Sequence, residues 1–286
     1  LSYVLCGEVR KQVKVILSGD GGDEAFGGYA RYVGVRMALQ YQQLPVFFRG
    51  LAGWIAGLLP ESTGGMHALR RARAFAASGH LAPDARYASW LAYQSLEERR
   101  RRYSPELHGA LKDRDPLAHL RALAEESGAH DPVSRAMYVD IHSFLPNNVL
   151  QYGDRMSMAH GLEARVPLAN PKLLALLARA PSTVHIQGRR SKMLLRECLA
   201  GRLPGAHLRR PKLGFNPPMG NWLNGPLKPL VEETLSRSAI RASGYFDPGE
   251  ILKMRSEHER GKRDYTWQLW SVLLFERWRR QGGMGG

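Results

Sequence analysis

The sequence predicts an α/β fold of the doubly wound, parallel-sheet kind, continued by a mostly helical region. Three observations carry that reading. Val13 to Leu17 (VKVIL) is a short β-branched run, the stretch ILSGDGGDEAFGGY turns on glycines at its end, and a helical pattern follows the turn directly. Helix, strand, glycine-rich turn and helix are the local grammar of a doubly wound sheet, whose ligands sit beyond the carboxyl ends of the strands.

The elements follow in order. Leu1 to Gln12 reads as the end of a helix, and VKVIL as a buried strand. Ala25 to Tyr41 reads as one helix, with apolar turns at Tyr29, Tyr32, Val33, Met37 and Leu39. The window Val46 to Pro60 is broken by Arg49 and several glycines and predicts a loop-flanked helix. Pro60, Pro83, Pro105, Pro116 and Pro132 then punctuate short helices. Pro146 is expected in the first turn of a helix, NNVLQYGDRMSMAHG, that ends near Gly161. Another helix spans about Ser191 to Ala200 and stops at Gly201 and Pro204. In the last, Trp267, Trp270, Leu274 and Trp278 share one face, which predicts a core stripe. The final GGMGG (Gly282 to Gly286) predicts a disordered tail.

The bulk numbers restrict the function classes. A chain of 286 residues with 44% hydrophobic and 23% charged content has the make-up of a globular protein with a sizeable core. No apolar run approaches the ~18 residues that a membrane crossing needs. Cys6 and Cys198 form no metal or redox spacing, so the expectation is a reducing cytoplasm. Lys and Arg number 41 against 26 Asp and Glu, a net charge of +15. The excess is dispersed, for example over Arg70, Arg71 and Arg73, Arg99 to Arg102, and Arg209 and Arg210, without a nucleic-acid motif. Solvated helix faces, or an anionic small molecule, explain it better than a nucleic-acid groove.

In this basic chain the glycine-rich turn is the acidic exception, with five glycines and three carboxylates between Ile16 and Tyr29. Ser18, Gly19, Gly21 and Gly22 allow backbone N–H groups to cradle an anion beside a helix N-terminus. Asp20, Asp23 and Glu24 would repel bare phosphate. A divalent cation between carboxylate and phosphate reconciles the two, as Mg²⁺ is typically held. The bland alternative is a tight turn whose Asp23 and Glu24 cap the following helix. GGDE followed by Ala25 and Phe26 superficially resembles a cyclase hairpin signature, but the helical pattern after it argues against a hairpin.

Two further segments bear charge in suggestive places. In DRMSMAHGLEARVP, Asp154 and Arg155 end a helix while Glu163 and Arg165 alternate after it. Their interleaving with Met156, Met158, Leu162 and Val166 predicts partly buried ion pairs. Lys192 lies near a helix start, where the helix dipole disfavours a cation unless it reaches an anion.

Together these segments resemble the glutamine-dependent asparagine synthetases and their amidotransferase relatives over nearly the whole chain. SGDGGDEAFGGY resembles the family's S-G-[ED]-G-x-D-E-x-F-x-G-Y segment. LPNNVLQYGDRMSMAHGLEARVP is similar to its L-P-x-x-x-L-x-x-x-D-R-x-S-M-A-x-x-[LV]-E-x-R-x-P segment. SKMLLREC and RRPKLGFNPPMGNWL resemble the two stretches that follow, in the same order. The resemblance implies an ATP-pyrophosphatase (adenine nucleotide alpha hydrolase-like) synthetase domain that activates a carboxylate as an acyl-adenylate and lets ammonia attack it. By motif position, Ser18, Gly19, Gly21 and Gly22 would contact ATP, and Asp20 would serve acyl-adenylate formation. Asp23 would bind Mg²⁺ on pyrophosphate, and Lys192 would stabilise the transition state. Asp154, Arg155, Glu163 and Arg165 would position the site from around it.

The resemblance also sets expectations for organisation. Residues 1–281 would be a partial synthetase domain, with 1–41 the end of its nucleotide-binding part and 42–281 mainly helical. The family's S-G-G-x-D-S loop and its N-terminal glutaminase domain are not in this sequence, so an upstream half is expected, and a homodimer is compatible. Aspartate and glutamine-derived ammonia would be the substrates, with no role for nucleic acid or membrane. Asp20 stands where many asparagine makers have Glu, which leaves another acceptor open, as in a β-lactam synthetase-like enzyme. A module that has lost its chemistry is the non-enzymatic alternative. VPLANP puts Asn170 where the family usually has Asp.

Overall fold

The computed structural model describes residues 1–45, 47–48, 54–55, 67–112, 114–210 and 217–283. Most of the expected helix between Val46 and Pro60, the PKLGFN part of the fourth motif and the last three residues of the glycine tail lie outside the described residues. The chain divides into two compact units: residues 1–45, 79–88 and 117–211 form one, and 46–78, 89–116 and 212–286 the other. No helix among the described residues is long and apolar enough to cross a membrane.

The first unit is mostly helical around a small parallel sheet. Strand β1 (Val15–Leu17) pairs with β2 (Glu163–Arg165) in parallel, with Val15 opposite Glu163, Ile16 opposite Ala164 and Leu17 opposite Arg165. Hydrogen bonds from Glu163 N–H to Lys14 O and from Ser18 N–H to Arg165 O extend the ladder at both ends. The strand is shorter than VKVIL and is not buried. Val15 and Leu17 are exposed while Ile16, facing the other way, is half-buried. Side chains alternate across a strand, and this sheet covers one face only. Tyr3, Val4 and Leu5 on the preceding helix (Ser2–Arg10), and Leu1 at its N-cap, are exposed as well.

Past β1, the expected single helix from Ala25 is two. A four-residue turn of helix, Gly22–Ala25, ends at Gly27, whose φ of 67° stops it, and a second helix runs Ala30–Gln42. Tyr32, Val35 and Ala38 form the buried face of the second. Pro83, Pro105 and Pro132 each open a helix, as their spacing predicts. Pro146 does not. It sits inside a π-helical segment, Asp140–Leu150, that continues the Pro132–Val139 helix and runs on into Gln151–Met158. Gln151 N–H donates to Pro146 O, the five-residue spacing of a π-turn. The wider register accommodates a residue without an N–H that would break an α-helical ladder.

An apolar cluster of Ala25, Phe26 and Leu177, packed on Leu168, Leu173, Leu174, Leu194 and Leu195, lies beneath the glycine-rich turn. It joins the Gly22–Ala25 turn to the Pro171–Ala178 and Met193–Cys198 helices. Burying Phe26 alone is worth about 1.5–3 kcal/mol, so this cluster fixes where the turn sits relative to the Lys192 helix.

In the second unit, Leu223, Val231, Leu235, Ile240, Ile251, Met254, Leu269, Val272 and Leu273 build the core with Tyr265. The last helix, Thr266–Trp278, therefore buries Leu269, Val272 and Leu273, and the tryptophan stripe is core only in part: Trp270 packs against this cluster, while Leu274 and Trp278 are exposed. Trp267 instead stacks on Tyr93 at 5.7 Å between ring centroids. Arg102, expected on a solvated face, is buried and donates to Gln94 and Glu98.

Candidate functional site

The glycine-rich turn leaves β1 at its carboxyl end, the position the sequence predicts. Ser18 opens it: its hydroxyl donates to Asp20 Oδ2 at 2.8 Å, and the Asp20 N–H returns to the Ser18 oxygen at 3.3 Å. This pair fixes the carboxylate just past the strand. Gly19 borders open space, with no atom within 4 Å of where a side chain would begin. Gly21, at φ 83°, like Gly27 at the other end of the turn, needs glycine for its backbone. A Cβ on Gly21 would also meet Ala169 at 2.8 Å, and one on Gly22 would meet Leu168 at the same distance. The two glycines thus let the turn pack down on the Pro167–Ala169 segment that follows β2.

Neither acidic residue of the short helix caps it. The N-cap position is Gly21 and no side chain bonds there. Asp23 Oδ1 lies 2.8 Å from Lys192 Nζ, both side chains about a quarter exposed. Glu24 is 1% exposed and accepts a hydrogen bond from the Tyr29 hydroxyl at 2.7 Å. Burial pushes the Glu24 carboxyl above its ordinary range, and burial with the Glu24 carboxylate nearby pushes the Tyr29 phenol up, so Tyr29 stays a donor.

Lys192 reaches Asp23 from the N-cap of the Met193–Cys198 helix, with φ 56° and ψ 35°. A non-glycine residue in this left-handed region costs of order 1–3 kcal/mol. The misplaced lysine of the sequence therefore does find an anion, and it holds a strained backbone where it does so. Leu194 and Leu195, two and three residues later, lock the helix onto the apolar cluster.

The remaining sequence candidates are placed differently. Asp154 and Arg155 are exposed on the Gln151–Met158 helix. Glu163 and Arg165 point from the ends of β2 with their charges 3.7 Å apart and more than half exposed, so the partial burial expected of them is absent. An alternating pair on a three-residue strand lies on one face, and here that face meets solvent. From the Gln151–Met158 helix Gly153 faces the turn: a Cβ there would lie 3.5 Å from Asp20 Oδ2. Asn170 has a plain role. Its side chain accepts from Lys172 N–H at 2.9 Å and caps the Pro171–Ala178 helix. Asn170→Ala is expected to cost about 1 kcal/mol in urea unfolding and Asn170→Asp almost nothing, since either side chain offers the capping oxygen. An equal loss for both would refute the cap.

Tyr29, Gly28 and Gly153 are the neighbours that sequence reasoning did not assign to a role, and Glu24 is buried under the Tyr29 hydroxyl in place of the capping role open to it. Gly28 and Tyr29 stood inside the quoted stretch, but their partners are fixed only by the fold. Among the described residues no three His, Cys, Asp or Glu side chains gather into a metal cage. The hard carboxylate oxygens of Asp20 and Asp23 fit Mg²⁺ of the kind that keeps water and phosphate ligands and takes only one or two from protein.

Comparison with known proteins bears on the whole chain. The asparagine synthase family model matches residues 1–280. A protein of Mycobacterium tuberculosis named "Putative asparagine synthetase (glutamine-hydrolyzing)" is 32% identical over 277 residues, 96% of this chain and 40% of that protein. Glutamine-hydrolyzing asparagine synthetase 1 of Bacillus subtilis is 28% identical over 276 residues, 96% of this chain and 42% of its own length. A protein of Gibberella zeae named as an amidase is 25% identical over 123 residues, 41% of this chain and 18% of that protein. The chain thus spans about two-fifths of the length of the asparagine synthetases it matches. No solved structure matches it significantly. The glycine-rich turn, the paired Asp23 and Lys192 and the match over nearly every residue agree, and the chain belongs to the asparagine synthase family.

Proposed function

We propose that this chain is the synthetase part of a glutamine-dependent ligase that makes asparagine. ATP activates the aspartate side-chain carboxylate as an acyl-adenylate, pyrophosphate leaves, and ammonia drawn from glutamine displaces AMP. The paired Asp23 and Lys192 at the carboxyl end of a parallel strand is the observation that carries the reading. In this reading Asp23 is the cation ligand and Lys192 the phosphate-neutralising ammonium beside it, on a turn with Gly19 open to solvent.

The residues divide the work. Ser18 and Gly19 lie where the backbone can meet ATP, and Gly21 and Gly22 let the turn hold that shape. Ser18 keeps the Asp20 carboxylate in place for the activated acyl group. Lys192 meets the charge that develops on departing pyrophosphate. Asp23 would hold Mg²⁺, which when bound neutralises phosphate charge. Asp154, Arg155, Glu163 and Arg165 lie on the Gln151–Met158 helix and β2, the elements bordering the turn, and in this reading act on the site only from its surroundings. In this reading β1 and β2 belong to a doubly wound ATP-pyrophosphatase sheet, and a glutaminase domain elsewhere in the whole protein supplies ammonia.

Hydroxide is a poor leaving group from a carboxylate, so the adenylation step is the diagnostic one. The full-length protein is expected to exchange labelled pyrophosphate into ATP only when an acceptor carboxylate is present. Exchange with aspartate supports asparagine formation. Exchange with another acid alone transfers the reading to a related amide-forming enzyme, a reading favoured by the short Asp20 side chain facing Gly153. No exchange with any acid would remove the ligase assignment.

A further inference from the structure

Gly28 is buried and its backbone is not left-handed, unlike that of Gly27 beside it. Its lack of a side chain therefore answers a need for space. A Cβ on Gly28 would stand 1.9 Å from Asp23 Oδ1 and 2.3 Å from Lys192 Cε, closer than any atoms can pack. Gly28 N–H also donates to Asp23 O at 2.7 Å, which presses this residue against the base of the ion pair. The Lys192 side chain runs over the bare Cα of Gly28 to reach Asp23.

Electrostatics gives this contact a consequence. While Lys192 neutralises Asp23, a lone divalent cation approaching Asp23 meets an ammonium 2.8 Å from its ligand oxygen. A polyanion drawing Lys192 away by itself exposes the Asp23 charge to that same anion. Cation and polyphosphate arriving together satisfy both partners, each replacing one half of the ion pair. Asp20, held by Ser18, and Glu24, held by Tyr29, are the other acids of the turn, and both already have hydrogen-bond donors.

We propose that Gly28 is a positioning residue of this site: its missing side chain is the slot through which Lys192 closes on Asp23, coupling uptake of the divalent cation to uptake of the polyphosphate. The proposal rests on the nucleotide-site reading above.

Binding of Mn²⁺ alone to the full-length protein, followed by the electron paramagnetic resonance of free Mn²⁺, tests it without turnover. Gly28→Ala and Lys192→Met are each expected to bind Mn²⁺ about five- to tenfold more tightly than the unaltered protein, because each parts the ion pair. Inorganic pyrophosphate is expected to tighten Mn²⁺ binding in the unaltered protein and to lose that effect in both variants. Circular dichroism checks that Gly28→Ala is folded, and Lys192→Met stands as the second test where it is not. No gain in Mn²⁺ affinity in Lys192→Met overturns the proposal. Asp23→Asn separates the two levels. If it abolishes Mn²⁺ binding while Lys192→Met changes nothing, the site reading survives and the coupling fails. If Asp23→Asn binds Mn²⁺ unchanged, the site reading and the proposal fall together.

Discussion

Lys192→Met in the full-length protein is expected to lower kcat about 10²- to 10³-fold, the usual cost of deleting one preorganised charge partner of a transition state. The reason lies in what the fold invests in this side chain. Lys192 occupies a left-handed backbone conformation at a helix N-terminus, where both strain and the helix dipole oppose a cation. Leu194 and Leu195 hold that helix in place through the apolar cluster shared with Phe26. The ammonium is therefore delivered to the turn at a cost, in a geometry set before any substrate arrives. A group so placed acts mainly where charge develops, so kcat should fall far more than the KM for ATP rises. Steady-state kinetics and pyrophosphate exchange give both quantities. A kcat within threefold of the unaltered protein would reduce Lys192 to a structural partner of Asp23.

The sequence made some of this legible and hid the rest for identifiable reasons. The strand, the glycine-rich turn and the anion-seeking Lys192 were readable because each is a local conflict: acids among glycines, a cation at the wrong helix end. The break at Gly27 was not, since the apolar residues from Ala25 to Tyr41 keep a helical rhythm across it, and a positive φ leaves no trace in that rhythm. The last helix has apolar residues on two faces. Spacing identified the tryptophan face and could not show that Leu269, Val272 and Leu273 were the ones facing neighbouring helices. Pro146 carried a strong rule that holds for α-helices, and the π-helical segment lies outside its scope. Glu163 and Arg165 were misjudged because burial depends on what covers a strand, which no spacing within it reveals. The ion pair of Asp23 and Lys192 joins residues far apart in the chain, so its members could be suspected singly but not matched.

The same limit hid a buried polar network of the first unit centred on Asp140. Asp140→Ala is expected to destabilise the protein by about 3–5 kcal/mol, the range for removing one partner of a buried ion pair. Asp140 is fully buried at the start of the π-helical segment. Its Oδ2 accepts from Arg31 Nη2 at 2.7 Å, Arg31 Nε at 3.0 Å, the Tyr32 hydroxyl at 2.5 Å and the Tyr87 hydroxyl at 2.6 Å. Burial raises the pKa of both phenols, so they remain donors and depend on this acceptor. Burial opposes the Arg31 charge, but the Tyr87 and Asp140 oxygens outweigh it and raise its pKa. Truncation to Ala would strand one cation and two hydroxyls, since an unpaired buried group forfeits its hydration without compensation. Asp140→Asn keeps an acceptor oxygen and the volume, and should lose less. Urea unfolding at constant slope measures both; a loss under 1 kcal/mol for Asp140→Ala would show that water reaches the cluster. The effect should also reach the site. The Arg31 guanidinium lies 3.7 Å from the centre of the Tyr29 ring, and Tyr29 is the donor to Glu24 within the glycine-rich turn. Asp140 thus supports Arg31, Arg31 supports Tyr29, and Tyr29 satisfies the buried acid beside Asp23. The Asp140 carboxylate thus ties the π-helical segment to the turn alongside Phe144, which meets the Tyr29 ring edge-on at 5.7 Å between centroids.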